Sequence, residues 1–271
     1  MNRELVQSRL RWAGSKKKLV PKYRELMPDA PALYVEPFAG SAAILFATGP
    51  QPAALGDINE PLIDTYRWIR SDPEDVHEAY KSYRKGAAPY YRARAEYNTC
   101  SPGPRRSGLF LYLNRLCFNG IYRTNKSGEF NVPYGGARAS PPLALADICA
   151  ASRLLKKVKL RKQDFGRTIE EFCSPRAFFF IDPPYFTSGR RTFTEYSKRP
   201  FSENDLARLH HALKHIDRAG ARFMVSYAKT PEARALAGKW NSRELRVHRQ
   251  IGGFADTRRY EIEMVITNYD T

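Results

Sequence analysis

A chain of 271 residues can form one large domain or two modest ones, and its 45 Lys and Arg against 28 Asp and Glu leave a formal charge of +17. That balance favours a polyanionic partner, most often nucleic acid, over a basic enzyme with no such partner. No apolar run approaches the roughly 20 residues of a membrane helix, residues 1–22 carry no signal-peptide core, and Cys100, Cys117, Cys149 and Cys173 form no CxxC pair, so a membrane protein, a disulfide scaffold and a zinc site are all disfavoured.

Taken in order, "ALYVE" (32–36) reads as a short buried strand. "PFAG" turns the chain, and "SAAILFA" reads as a helix that Ser41 can cap. "AALGD" (53–57) is a second strand and "PLIDTYRWI" has helical periodicity, so the chain opens as a parallel α/β sheet. From about residue 72 to 150 the alternation breaks. This stretch is rich in Tyr, Arg, Gly and Pro and reads as an inserted subdomain, with "GLFLYLNRLCFNG" a mostly buried helix ending at Asn119-Gly120. The α/β code then resumes. "VKLRKQD" is a strand ending at Asp164, "AFFFID" (177–182) a core strand, and "SENDLARLHHALKHIDRAG" a helix with a Ser202/Asp205 capping box. "ARFMVSY" is a strand, and "SRELRVHRQI" and "RYEIEMVITNY" are expected to pair as a terminal antiparallel hairpin. Trp68, Trp240 and the helical His210, His211 and His215 read as packing or surface residues.

Three strands end in acids, Glu36, Asp57 and Asp182, with Asp164 a fourth candidate. Open α/β sheets bind ligands beyond the carboxyl ends of their strands, and acids there are costly to bury unpaired. "EPFAGSA" holds only Gly40 of a dinucleotide fingerprint, so a pyrophosphate cradle is missing. Asp57, 21 residues after Glu36, is spaced to receive two ribose hydroxyls. A nucleoside without a diphosphate fits, and S-adenosylmethionine, with its positive sulfonium, is one. A phosphate-bearing cofactor and an ordinary strand-end turn remain as alternatives.

"DPPY" (182–185) adds a chemistry. The amino nitrogen of a base is a weak nucleophile because its lone pair is delocalised into the ring. Two acceptors on its N–H groups, Asp182 and the Pro183 carbonyl, favour pyramidal nitrogen and free the lone pair. Pro183 and Pro184 hold the acceptors rigidly, and Tyr185 can stack on the base. A base in a duplex reaches such a pocket only when flipped out.

With these motifs in this order, the chain resembles the Dam-like, D12-class (alpha group) DNA adenine-N6 methyltransferases. "RWAGSK" (11–16), "VEPFAGSAA", "GDIN" (56–59), "LFLYLNRLCFNG", "RTNKSGEFNVPYG", "IDPPY" and "EIEMVITNY" carry the resemblance along nearly the whole chain. It implies a Rossmann-like, S-adenosylmethionine-dependent methyltransferase sheet, mostly parallel with a terminal antiparallel strand. Residues 1–70 and 151–271 would be catalytic, and 71–150 a mainly helical target-recognition insert. It implies transfer of a methyl group to N6 of a flipped adenine in a short duplex DNA site. The same chemistry on RNA or a protein amide, and a DNA-binding protein without catalysis, are the alternatives.

The resemblance also implies residue roles. Trp12 and Lys16 would hold the methionine end of the cofactor, with Glu36 and the turn of Phe38, Ala39 and Gly40 shaping the same pocket. Asp57 would bind the ribose in the motif that includes Asn59, and Asp164 and Phe165 the cofactor adenine. Asp182, Pro183, Pro184 and Tyr185 would act on the target. Phe118, Asn119, Tyr122 and Arg123 would meet DNA, Arg123 reading a guanine or touching a phosphate. Arg190, Arg191 and Lys198, in the basic "SGRRTFTEYSKRPF", are candidate phosphate contacts. No metal is expected. The chain departs from the pattern at Ala42, where a second glycine is frequent, at Leu116-Cys117-Phe118, and at Tyr122-Arg123-Thr124, which puts a GATC target in doubt. A monomer on double-stranded DNA is expected, in the cytoplasm of a bacterial, archaeal or phage-infected cell, with a cognate restriction endonuclease as a functional companion that it does not touch.

Overall fold

The computed structural model describes residues 8, 10–12, 14–136, 142–186, 201–250 and 258–271, with backbone alone at 247–250 and 258–261. Seven strands form one mixed sheet: β1 (Leu33–Glu36), β2 (Ala53–Asp57), β3 (Val158–Lys162), β4 (Ala177–Ile181), β5 (Arg222–Ala228), β6 (Asn241–Gln250) and β7 (Arg258–Thr267). Their order is β3-β2-β1-β4-β5-β7-β6. The first five are parallel, and β7 runs antiparallel between β5 and β6, so the expected terminal hairpin is present. Strand order reverses between β1 and β4, which sets the carboxyl ends of those two strands side by side at the crevice where such sheets take ligands.

The run of phenylalanines in β4 follows from burial on both faces. Phe178 and Phe180 join one hydrophobic cluster, and Phe179 and Ile181 the other. On the second face pack α8 (Phe165–Phe172), α9 (Glu203–Arg218) and α10 (Pro231–Ala237). On the first lie α1 (Val20–Leu26), α2 (Ala43–Thr48) and α3 (Glu60–Ser71). The same cluster continues into α4 (Pro73–Lys81), α5 (Ala87–Thr99), α6 (Pro104–Leu116) and α7 (Leu145–Leu155), so these later helices share a core with the sheet. α4 and α6 meet closely at Gly108, where a methyl group would come within 2.4 Å of Ala79 Cβ and the Val76 carbonyl.

Several local expectations are corrected. Ser41 does not cap α2. The cap position is Ala42, in the left-handed region at φ 47°, while the Ser41 hydroxyl bonds the Ser15 hydroxyl at 2.9 Å. Ala42 thus keeps a backbone shape that glycine takes without cost. Helix α6 stops at Leu116 rather than Asn119-Gly120, because Phe118 N–H turns to the Pro133 carbonyl and Asn119 enters the left-handed region at φ 53°. β3 ends at Lys162, and Asp164 instead caps α8 by accepting from Gly166 N–H. The Ser202/Asp205 capping box opens α9 as read. Trp240 packs edge-on against Phe223 and His210.

Candidate active site

A cavity of about 820 Å³ opens beyond the carboxyl ends of β1, β2 and β4. All the residues expected at the cofactor and catalytic positions line it: Trp12, Lys16, Glu36, Phe38, Ala39, Gly40, Asp57, Asn59, Asp164, Phe165, Asp182, Pro183, Pro184 and Tyr185. Its size suits a compact organic ligand.

The turn after β1 is held by Asp57. Its carboxylate accepts from Gly40 N–H (3.0 Å) and Asn59 N–H (2.9 Å), tying the end of β2 to the loop of β1. Burial raises the Asp57 pKa, with the Gly40, Asn59 and Ile58 N–H groups working against the rise. Gly40 has φ +45°, and a Cβ there would meet the Trp12 ring at 3.0 Å, so the indole lies directly on the turn. Asn59 caps α3 through its side-chain oxygen, while its buried amide nitrogen has no hydrogen-bond partner among the described residues.

Glu36 is buried at the floor, and one of its oxygens accepts from both the Tyr34 hydroxyl (2.7 Å) and Leu45 N–H (2.9 Å). Burial pushes its pKa from 4.5 up to about 8, against these two hydrogen bonds and helped by the nearby Asp182 charge. The folded protein therefore holds a proton that the unfolded chain releases. Glu36 stabilises most fully below about pH 4.5, and that contribution is lost as the pH rises towards about 8. Glu36→Gln keeps the accepting oxygen and has nothing to titrate. Urea unfolding across this window should show a flatter pH dependence than wild type; identical curves would remove Glu36 as the source.

One end of the cavity is aromatic. Phe38 and Phe165 stack with centroids 4.9 Å apart, Phe201 meets both, and the Arg208 guanidinium lies 4.8 Å from the Phe165 centroid. Arg208 pairs with Asp164 (2.5 Å) and Asp205 (3.0 Å). Phe201 and Arg208 were not singled out in the sequence. The only available signal was their position around the capping box of α9.

The opposite end holds a polar cluster at Asp182. Lys16, itself buried, places its ammonium 3.1 Å from Asp182 Oδ1 and 3.1 Å from Glu263 Oε1. It also donates to the Tyr185 hydroxyl, which in turn donates to Glu263 (2.9 Å). The Tyr185 ring lies 4.9 Å from Tyr227, and the Tyr227 hydroxyl accepts from Phe186 N–H at 2.7 Å, fixing the segment after the two prolines. Glu263 was missed because it was read only as part of the last strand. An acid between Ile262 and the buried Met264, Val265 and Ile266 was the usable signal.

The residues expected at DNA divide. Phe118 is 46 % exposed and Asn119 is exposed beside it. Tyr122 is buried, stacked on Trp12 with ring planes 15° apart and flanked by Phe110 and Phe130, and it lines the cavity. Arg123 sits at the base of a small antiparallel loop closed by the Thr124 to Phe130 bridge, and its Nε donates to Asn131 Oδ1 at 2.8 Å. Thr124 and Gly128 of this loop also line the cavity. Arg11 anchors the region: its N–H and carbonyl are clamped by the Asn114 amide (2.8 and 2.6 Å). Arg190, Arg191 and Lys198 lie outside the described residues.

The residues suit S-adenosylmethionine. The Asp57 carboxylate, the Phe38 and Phe165 rings and the Asp182 to Tyr185 segment line one cavity, and the Asn59 amide nitrogen, with no hydrogen-bond partner among the described residues, can turn to a ligand acceptor.

Known proteins resemble this chain over most of its length. Residues 12–250 match the family described as D12 class N6 adenine-specific DNA methyltransferase. The chain is 30% identical over 268 residues to a type II methyltransferase of Lactococcus lactis subsp. cremoris, covering 96% of this chain and 94% of that one. It is 31% identical over 292 residues to a type II methyltransferase of Methanocaldococcus jannaschii (97% and 99%), and 32% identical over 235 residues to a DNA adenine methylase of Vibrio cholerae (84% and 83%).

Proposed function

Because this chain belongs to the D12 class of N6 adenine-specific DNA methyltransferases, we propose that it transfers a methyl group from S-adenosylmethionine to N6 of an adenine flipped out of a short, specific duplex DNA sequence. The observation that carries this reading is the convergence of the Asp57 turn and the Asp182 to Tyr185 segment on one cavity at the switch in strand order.

When bound, S-adenosylmethionine supplies an electrophilic methyl group on a positively charged sulfur. Asp57 would receive the ribose hydroxyls, with Phe38 and Phe165 beside the adenine of the cofactor. Asp182 and the Pro183 carbonyl would accept the two N–H groups of the target amine, raising its nucleophilicity and stabilising the positive charge that grows on nitrogen. Tyr185 would lie against the base, its hydroxyl already held by Lys16 and Glu263. Where the bound cofactor and base displace water from the cavity, these contacts strengthen. Residues 71–150 would read the target, with Phe118 filling the gap left in the duplex. The chain would work as a monomer, in the cytoplasm, whether or not a restriction endonuclease shares its site.

Two variants separate these roles. Asp57→Ala should weaken cofactor affinity by about 10-fold or more, from the loss of charge-assisted hydrogen bonds; unchanged affinity by calorimetry would take Asp57 out of the pocket. Arg123→Ala should lose about 1–3 kcal/mol of discrimination at one guanine. An equal fall on all sequences would make Arg123 a backbone contact. The function itself is tested by incubating the protein with methyl-tritiated cofactor and unmethylated genomic DNA, then digesting to nucleosides. Label should appear as N6-methyl-2′-deoxyadenosine from DNA, with none as N6-methyladenosine from matched RNA duplexes; label in RNA or none at all would reject the reading.

A further inference from the structure

We infer that Glu263 is a positioning residue for methyl transfer: it is the fixed anion that shares the Lys16 ammonium with Asp182 and holds the Tyr185 hydroxyl, so that the Asp182 carboxylate keeps lone pairs for the target amine. The inference rests on the role of Asp182 given above.

Glu263 sits on β7, where it pairs with Ala228 of β5 on one side and Leu245 of β6 on the other. It is 1 % exposed. A carboxylate buried this deeply is costly unless every lone pair is used. Among the described residues, donors come from Lys16 Nζ at 3.1 and 3.3 Å, the Tyr185 hydroxyl at 2.9 and 3.1 Å, and the Ser226 hydroxyl at 2.9 Å. Ser226 in turn receives the Tyr23 hydroxyl at 2.7 Å, and burial raises the Tyr23 phenol so that it keeps its proton and remains a donor. The chain of contacts runs from α1 through β5 and β7 to the pocket.

Lys16 lies between two carboxylates of unlike exposure. The Glu263 side chain is 2 % exposed and that of Asp182 22 %. Only Asp182 faces the cavity. Without the charge on Glu263, the buried ammonium, already 3.1 Å from Asp182, would no longer divide its charge between the two carboxylates and would pair more strongly with Asp182, competing for the lone pairs that the target N–H must use. The Tyr185 hydroxyl would lose its acceptor at the same time. Glu263 touches neither cavity nor substrate, so its effect would pass entirely through the two groups it holds.

Glu263→Gln tests this, because it keeps the shape and removes the charge. With methyl-tritiated cofactor and unmethylated genomic DNA, kcat should fall by about 100-fold, the scale of a small misplacement of reacting groups. DNA affinity should stay near wild type, and kcat is read at saturating cofactor so that any change at the Lys16 end of the cofactor does not enter it. Glu263→Asp should recover part of the rate. Combining Glu263→Gln with Tyr185→Phe should cost less than the sum of the two, since both break one unit. Wild-type kcat in Glu263→Gln would overturn the inference, as would a fall matched by the loss of folded protein seen by circular dichroism. If that variant does not fold, Ser226→Ala removes one donor to the same carboxylate and no charge. A several-fold fall in kcat with unchanged DNA affinity supports the inference, and no fall overturns it. Asp182→Ala run alongside separates the cases: if it is inactive while Glu263→Gln is normal, only the role of Glu263 fails; if it is active, the reading of the site fails.

Discussion

Asp182→Ala is expected to lower kcat by at least about 100-fold while leaving cofactor affinity near its starting value, because it removes one of the two acceptors proposed for the reacting amine. The structure gives reason to expect a folded variant. Asp182 directly follows β4 at the cavity, partly open, and Lys16 retains Glu263 and Tyr185 when Asp182 is lost. Loss of activity should therefore not be loss of structure. Single-turnover rates with saturating cofactor check this, and a near-normal rate would remove Asp182 from the chemistry.

Lys16→Met should have the largest effect on stability, about 3–5 kcal/mol, the usual cost of stripping a buried charge of its partner. The methionine fits the space of the lysine stem, but the buried Glu263 carboxyl loses its cation, with Ser226 and Tyr185 its remaining side-chain donors of those described. Urea denaturation measures the loss. Adding Glu263→Gln to Lys16→Met should return part of it, since the stranded charge is then gone. A loss under about 1 kcal/mol for Lys16→Met would show that the ammonium contributes little to the fold.

Much of this site can be read from local sequence. A short apolar run ending in an acid marks a buried strand whose end meets a cavity, and Glu36, Asp57 and Asp182 are all of this kind. The capping box of α9 is equally local. The misread or missed features depend on partners distant in the chain. Ser41 satisfies the capping pattern, yet its hydroxyl meets Ser15, and the turn is secured from β2 by Asp57. Glu263 reaches Lys16 across 247 positions, and Arg11 meets Asn114 across 103. No periodicity reports such contacts. The surroundings of Tyr122 show the same limit: its neighbours in sequence do not report that Trp12 and Phe110 pack against it where it lines the cavity.

Arg11 and Trp12 link the two halves of the site. Trp12 touches the Gly40 turn on one side and Tyr122 on the other, while Arg11 is clamped to α6. The segment that borders the cavity thus also braces the loop holding Arg123, which places the groups proposed to read DNA and those proposed to act on it on one support.

The most direct test is a crystal structure of the chain with S-adenosylhomocysteine and duplex DNA carrying its mapped methylation site. The target adenine should be out of the helix, with N6 at hydrogen-bond distance, about 2.7–3.2 Å, from both an Asp182 oxygen and the Pro183 carbonyl. An adenine still stacked in the duplex, or seated away from residues 182–185, would contradict the account.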